Sequence, residues 1–171
     1  MAEDLHIFTG DKAGQYKSLI PQIRGLLEGE TDLVANLANI VAALKEQFGW
    51  LWIGFYLVKP SLVKSPVDMV ADEAGELVLA PFQGPVACTR IRKGRGVCGS
   101  CWAQAKTMIV PDVDQFPGHI ACSSLSKSEI VVPVIRNNKV VAVLDIDSSE
   151  FNQFDSTDQQ YLEEIVSLIE F

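Results

Sequence analysis

Ser128-Glu129-Ile130-Val131-Val132-Pro133-Val134-Ile135, then Arg136-Asn137-Asn138, then Lys139-Val140-Val141-Ala142-Val143-Leu144-Asp145-Ile146 is two β-rich runs separated by residues that suit a tight turn. Asparagine tolerates the positive φ that short hairpin turns demand, so the stretch predicts two antiparallel strands. Downstream, Asp155 is a good helix N-cap, and Tyr161, Leu162, Ile165, Val166 and Ile169 form an apolar stripe at helical spacing. Upstream, Trp50 to Val58 (WLWIGFYLV) is dense in aromatic and β-branched residues and predicts a central strand. Before it, Lys12 to Leu27 carries a helical period interrupted by Pro21, and Thr31 is placed to cap a second helix with Leu33, Leu37, Ile40, Val41, Leu44 and Phe48 on one face, ending near Gly49.

Between these blocks, Glu76 to Ala80, Val86 to Ile91 and Thr107 to Val110 read as short strands, and Gly96 to Lys106 as a short helix. Lys59 to Asp72 reads as a surface loop. Helices flanking a run of strands that contains a hairpin predict an α+β fold, with helices packed on an antiparallel sheet. A chain of 171 residues, 48% hydrophobic and 21% charged, is expected to form one domain spanning residues 1–171.

The net charge of −8 argues against nucleic acid and anionic membrane surfaces as partners, because both are held largely by lysine and arginine. The acidic start, Met1-Ala2-Glu3-Asp4, leads into no apolar core of signal-peptide length, and no apolar run is long enough to cross a bilayer. A cytoplasmic location is expected. The four cysteines, all between positions 88 and 122, then read as packed thiols, metal ligands or redox groups rather than as a disulfide framework.

Cys122 lies in Gly118-His119-Ile120-Ala121-Cys122-Ser123-Ser124, a small-residue loop in which a thiol can be reached. Glu129 opens the strand that follows. Asp145 and Asp147 sit two apart on the next strand, so their side chains share one face of the sheet. Two readings of that pair stand side by side: a grip for a cationic ligand group, or simply the exit of the strand into solvent. Cys98-Gly99-Ser100-Cys101, with His119 and Cys122, superficially matches a four-ligand zinc pattern, although the segment reads as helical and Cys88 is left over. A thioredoxin-like motif lacks its βαβ surroundings. Gly94-Arg95-Gly96-Val97-Cys98-Gly99 matches a dinucleotide fingerprint in letters, but Arg90-Ile91-Arg92-Lys93 is not the apolar strand that motif requires. The glycines instead predict a flexible approach to a helix N-terminus, where Cys98 is either a thiolate favoured by the dipole or a buried, inert thiol.

Pro81-Phe82-Gln83-Gly84-Pro85-Val86-Ala87-Cys88, Gly94 to Gly99, Asp112-Val113 through Cys122, Ser128 to Pro133 and Leu144-Asp145-Ile146-Asp147-Ser148 together resemble the free methionine-(R)-sulfoxide reductases, a family built on a GAF domain. The resemblance runs through nearly the whole chain in the family's order. It implies that Cys122 attacks the sulfoxide sulfur and becomes a sulfenic acid, that Cys88 resolves it to a disulfide, and that Cys98 is a further redox-active thiol. It implies free methionine sulfoxide as substrate, thioredoxin as reductant and no metal or other cofactor. Glu129 matches the family's acid beside the substrate oxygen, Asp145 and Asp147 match its acidic substrate-binding positions, and Trp52 and Tyr56, which share a strand face, match its pocket aromatics. A homodimer follows from the habit of GAF domains.

Elementary chemistry agrees with these roles. A sulfoxide oxygen leaves only when protonated, which calls for a carboxylic acid of raised pKa, and clustered carboxylates raise one another. Negative charge suits the ammonium of a free amino acid, and an aromatic wall suits a methyl group or developing cation. A sulfenic acid needs a second thiol to escape over-oxidation. Without the resemblance, core packing is the simpler reading of Trp52 and Tyr56. Cys101 stands where the family commonly has a small non-thiol residue, and the loop from Lys59 is longer than expected. His119 is either a cation near Cys122 or a hydrogen-bonding loop residue. The alternative class is a GAF sensing module for a small molecule, redox state or zinc; such modules act through another domain, and the chain closes with its last helix, which favours an enzyme.

Overall fold

The computed structural model describes residues 4–60, 75–119 and 123–171. In chain order these form α1 (Lys12–Leu27), α2 (Leu33–Phe48), β1 (Trp52–Pro60), β2 (Gly75–Gln83), β3 (Arg90–Arg92), α3 (Gly96–Gln104), β4 (Met108–Val110), β5 (Ser128–Arg136), β6 (Lys139–Ser148) and α4 (Ser156–Ser167).

The helices start and stop where the side chains satisfy their orphaned backbone groups. Asp11 and Asp32 accept from the N–H groups of Gly14 and Ala35, each at 2.9 Å. The expected cap of α2 at Thr31 therefore moves one residue on, because the Asp32 carboxylate reaches the first turn. Gly49 closes α2 in the left-handed conformation, with φ +67°. Asp155 caps α4, reciprocated by Asp158 in a capping box.

The expected loop at Lys59 gives up Lys59 and Pro60 to β1, which starts at Trp52 rather than Trp50; the remainder of that loop lies outside the described residues. β2 runs through Pro81, where a register shift against β1 leaves an unpaired position that suits a residue with no N–H to donate. The strand expected over Val86–Ile91 shrinks to Arg90–Arg92. Part of the preceding segment is held by side chains instead of a ladder: the carbonyls of Pro85 and Cys88 accept from Trp52 Nε1 and Tyr56 OH.

The strands form one sheet in the order β3-β2-β1-β6-β5-β4, with every neighbouring pair antiparallel. β5 and β6 pair from Ser128↔Ser148 to Arg136↔Lys139, closed by Asn137 and Asn138 at φ +50° and +59°, the two-residue turn that the sequence predicts. Alternation then gives the sheet two different faces. Ile53, Phe55, Ile130, Val132, Val134, Ala142, Leu144 and Ile146 point to one side and form a core with α1, α2 and α4. Burial of each large side chain there is worth about 1.5–3 kcal/mol. Trp52, Tyr56, Val131 and Val143 point to the other side, against Val97, Cys98, Cys101 and Trp102 of α3. Among the described residues no helix is long and apolar enough to cross a membrane.

Candidate active site

The α3 side of the sheet carries the acids. Glu129 lies opposite Asp147 across β5 and β6, and Val131 lies opposite Asp145, so Glu129, Asp145 and Asp147 occupy adjacent positions on one face. Asp145 and Glu129 are only 6% and 5% exposed, and Asp147 is partly buried. This removes the reading of Asp145 and Asp147 as the exit of a strand into water.

On the neighbouring strand, Trp52 pairs with Asp147 and Gly54 with Asp145. A Cβ at Gly54 would come within 2.4 Å of the Trp52 ring and 2.5 Å of Phe82, so the missing side chain lets the indole lie along the strand beside the acids. Trp52 is stacked between Phe82 and Tyr56, at ring-centroid distances of 5.5 and 5.9 Å. The two hydrogen bonds to the Pro85 and Cys88 carbonyls, 3.1 and 3.0 Å, fix both the rings and the segment beside them.

Cys98 enters from above in the first turn of α3. The start of that helix sits hard against the chain leaving β3: Gly94 N–H donates to Gly99 O at 2.8 Å, and a Cβ at Gly99 would stand 2.4 Å from Arg92 O. The glycines of the Gly94–Gly99 stretch serve this tight return and not a nucleotide. They deliver the Cys98 Sγ to the carboxylates, so that Sγ, one Glu129 oxygen and one Asp145 oxygen all lie within 4.8 Å of one another.

Burial and mutual repulsion decide the protonation of this cluster. Burial, then the Asp145 and Asp147 charges, holds the Glu129 carboxyl well above the usual range. Asp145 is also pushed well up by burial and by Asp147, against the pull of hydrogen bonds involving Cys98, Glu129 and the Ile146 N–H. Its Oδ1 is buried with no hydrogen-bond partner among the described residues. Asp147 is pushed up to about 6 by burial, opposed by a hydrogen bond from the Ser126 hydroxyl. The Cys98 thiol is pushed well up by burial, then by Asp145 and Glu129. Of the two readings of Cys98, the structure favours the buried thiol over the dipole-favoured thiolate, because desolvation and two acids outweigh the helix end. His119 Nε2 lies 3.8 Å from Glu129 Oε2, and burial lowers its pKa, so at neutral pH it is a neutral imidazole and not a cation.

These residues line a cavity walled by Trp52, Tyr56, Cys98, His119, Glu129, Asp145 and Asp147. Cys88 packs, half-buried, against the same apolar layer without lining the cavity. Cys122 lies outside the described residues. The four-ligand zinc pattern weighed as an alternative loses Cys101, which is fully buried one helical turn beyond Cys98 with its thiol directed at the Val131 carbonyl at 3.5 Å. Cys88, Cys98 and Cys101 are free thiols. Arg95 and Ser126 also reach the cavity and carry no signal in the sequence beyond their proximity to Gly96 and Ser128.

The GAF domain model matches residues 28–171. "GAF domain-containing protein A" of Dictyostelium discoideum is 59% identical over 99% of both chains. A free methionine-R-sulfoxide reductase of Escherichia coli is 41% identical over 94% of this chain and 89% of its own. The X-ray structure of free methionine-R-sulfoxide reductase from Neisseria meningitidis in complex with its substrate superposes with a TM-score of 0.87 at 53% identity, covering 98% of this chain and 93% of that one. On this evidence the chain belongs to the GAF domain family and, within it, to the free methionine-R-sulfoxide reductases, which are oxidoreductases.

Proposed function

We propose that this chain reduces free methionine-R-sulfoxide to methionine, with Cys122 as the attacking thiol. The observation that carries the reading is a buried carboxyl, Glu129, whose pKa burial holds well above the usual range, beside Asp145, whose buried Oδ1 has no partner among the described residues, in a cavity walled by Trp52 and Tyr56.

The substrate ammonium meets Asp145 and Asp147, supplying the positive charge that the cluster lacks, and the methyl group lies against the Trp52 ring. Glu129 gives its proton to the sulfoxide oxygen as the Cys122 sulfur attacks the substrate sulfur. The hydroxyl so formed passes from the substrate sulfur to the Cys122 sulfur as the S–O bond and the transient S–S bond break, leaving a sulfenic acid on Cys122, while the Cys122 thiol proton returns to Glu129. The substrate sulfur gains the two electrons that Cys122 loses, and methionine leaves. Cys88 then condenses with the sulfenic acid, releasing water and leaving a disulfide, with Cys98 as a further thiol for exchange. A dithiol such as that of thioredoxin restores both cysteines by thiol–disulfide exchange.

The test is turnover of free methionine-R-sulfoxide by the reduced protein with dithiothreitol, measured as methionine formed. The unmutated chain yields methionine and Cys122→Ser yields none. Absence of methionine from the unmutated chain overturns the reading.

A further inference from the structure

The Cys98–Glu129–Asp145 cluster has a composition that ammonium binding does not need. An ammonium is served by oxygens alone; a thiol within 4.8 Å of two carboxylates, all three buried, adds a soft donor to hard ones. Soft thiolate together with oxygen donors selects zinc over magnesium or calcium. Three protein ligands with a fourth position open to the cavity is the pattern of a zinc site that exchanges its last ligand. The arrangement points to a ligand for a second, independent reason: Asp145 is more than nine-tenths buried, and its Oδ1 has no partner among the described residues.

We propose that Cys98, Glu129 and Asp145 bind one zinc ion in the reduced protein, and that this ion and the cationic end of the substrate exclude one another. The ligand atoms need move only modestly, since zinc holds sulfur at about 2.3 Å and oxygen at about 2.0–2.2 Å, so bound ligands lie nearer one another than the 4.8 Å limit seen here. Gly99 packs α3 onto the Arg92 carbonyl and fixes the height of Cys98 above the acids, while the β5–β6 ladder fixes Glu129 and Asp145. His119, 3.8 Å from Glu129, is a neutral nitrogen donor on the same rim. Cys101 takes no part, because its thiol is directed at Val131 O. Zinc so bound removes the proton donor and the ammonium site together, and releases the ligand protons as it enters. The competition between ion and substrate rests on the function proposed above; the binding of the ion does not.

The experiment titrates the reduced full chain with zinc chloride by calorimetry, and with cobalt(II) by absorption. One equivalent of zinc is expected, together with a thiolate-to-cobalt charge-transfer band. Affinity falls by more than about tenfold in Cys98→Ser and in Asp145→Asn, since losing even a hydrogen-bond partner of a ligand costs that much. Cys101→Ser binds as the parent, and magnesium does not displace zinc. In Cys122→Ser, which the proposed function leaves unable to turn the substrate over, free methionine-R-sulfoxide raises the apparent zinc dissociation constant in proportion to its concentration. Cobalt binding without a thiolate band, unchanged affinity in Cys98→Ser, or loss of affinity in Cys101→Ser overturns the site. Cys98→Ser is nearly isosteric and keeps the test sound if Asp145→Asn fails to fold. Zinc binding without methionine formation defeats the functional reading alone, and methionine formation without zinc binding defeats this inference alone.

Discussion

Two clusters of acids, Asp155 with Asp158 and Glu129 with Asp145 and Asp147, occupy opposite sides of the same sheet, and they are treated in opposite ways. At the start of α4, Asp158 is fully buried, and each of its oxygens is accounted for: Lys12 Nζ at 2.5 Å, Tyr16 OH at 2.8 Å and the Asp155 N–H at 2.8 Å. Lys12 also holds Asp155, whose carboxyl lies near 2 as a result. Under α3, Glu129, Asp145 and Asp147 have no such lysine or arginine ion pair among the described residues. Burial pushes all three up, with repulsion added at Glu129 and Asp145, and Asp145 Oδ1 is left without a partner among the described residues. The first cluster has its counter-ion built in and serves to pin α1 to α4. The second leaves positive charge and a proton's destination to be supplied from outside, which is what a binding site does.

The largest effect is expected at Glu129. Glu129→Gln keeps the shape and removes the transferable proton, so kcat for methionine-R-sulfoxide falls by about 10²–10⁴ while thermal stability is held or raised. A fall in Tm with kcat intact would make the site cluster a structural one like its counterpart. Next comes Lys12→Met, which strands the buried Asp158. It should destabilise the fold by about 3 kcal/mol in urea unfolding and leave kcat and KM unchanged. Loss of activity in a folded Lys12→Met would erase the distinction between the clusters.

The smallest effect is a difference of sign with pH. Asp155 has a lowered pKa, so its contribution is present above the unfolded value of about 3.9 and is lost as pH falls towards about 2. Asp147 has a raised pKa: the folded state binds more protons, so stability is lost as pH rises from about 4 to about 6. Asp147→Asn should flatten that descent by about 1–2 kcal/mol, discounted for its partial exposure, in urea midpoints taken between pH 4 and 7. An unchanged slope contradicts the assignment.

The fold was legible in the sequence wherever alternation and caps act locally. The Asn137-Asn138 turn, the limits of α1 and the shared face of Asp145 and Asp147 follow from rules that span a few residues. What was not legible depends on contacts between distant segments. Val86 to Thr89 reads as strand from its side chains, yet Trp52 and Tyr56 claim the Pro85 and Cys88 carbonyls from more than thirty positions away. Its place at a helix start leaves Cys98 open between a thiolate favoured by the dipole and a buried thiol, and the burial and acids that decide between them come from packing and from two other strands. The proximity of Asp145 to Cys98 needs Gly99 against Arg92, a packing detail that no spacing encodes.

The central claim, that Asp145 and Asp147 await the ammonium of a free amino acid, is tested most directly by comparing kcat/KM for free methionine-R-sulfoxide and for its N-acetyl derivative, which has no ammonium. The account predicts a loss of at least about 10² for the acetylated compound, as expected when a buried charge is left without its counter-ion. Equal values for the two would contradict it.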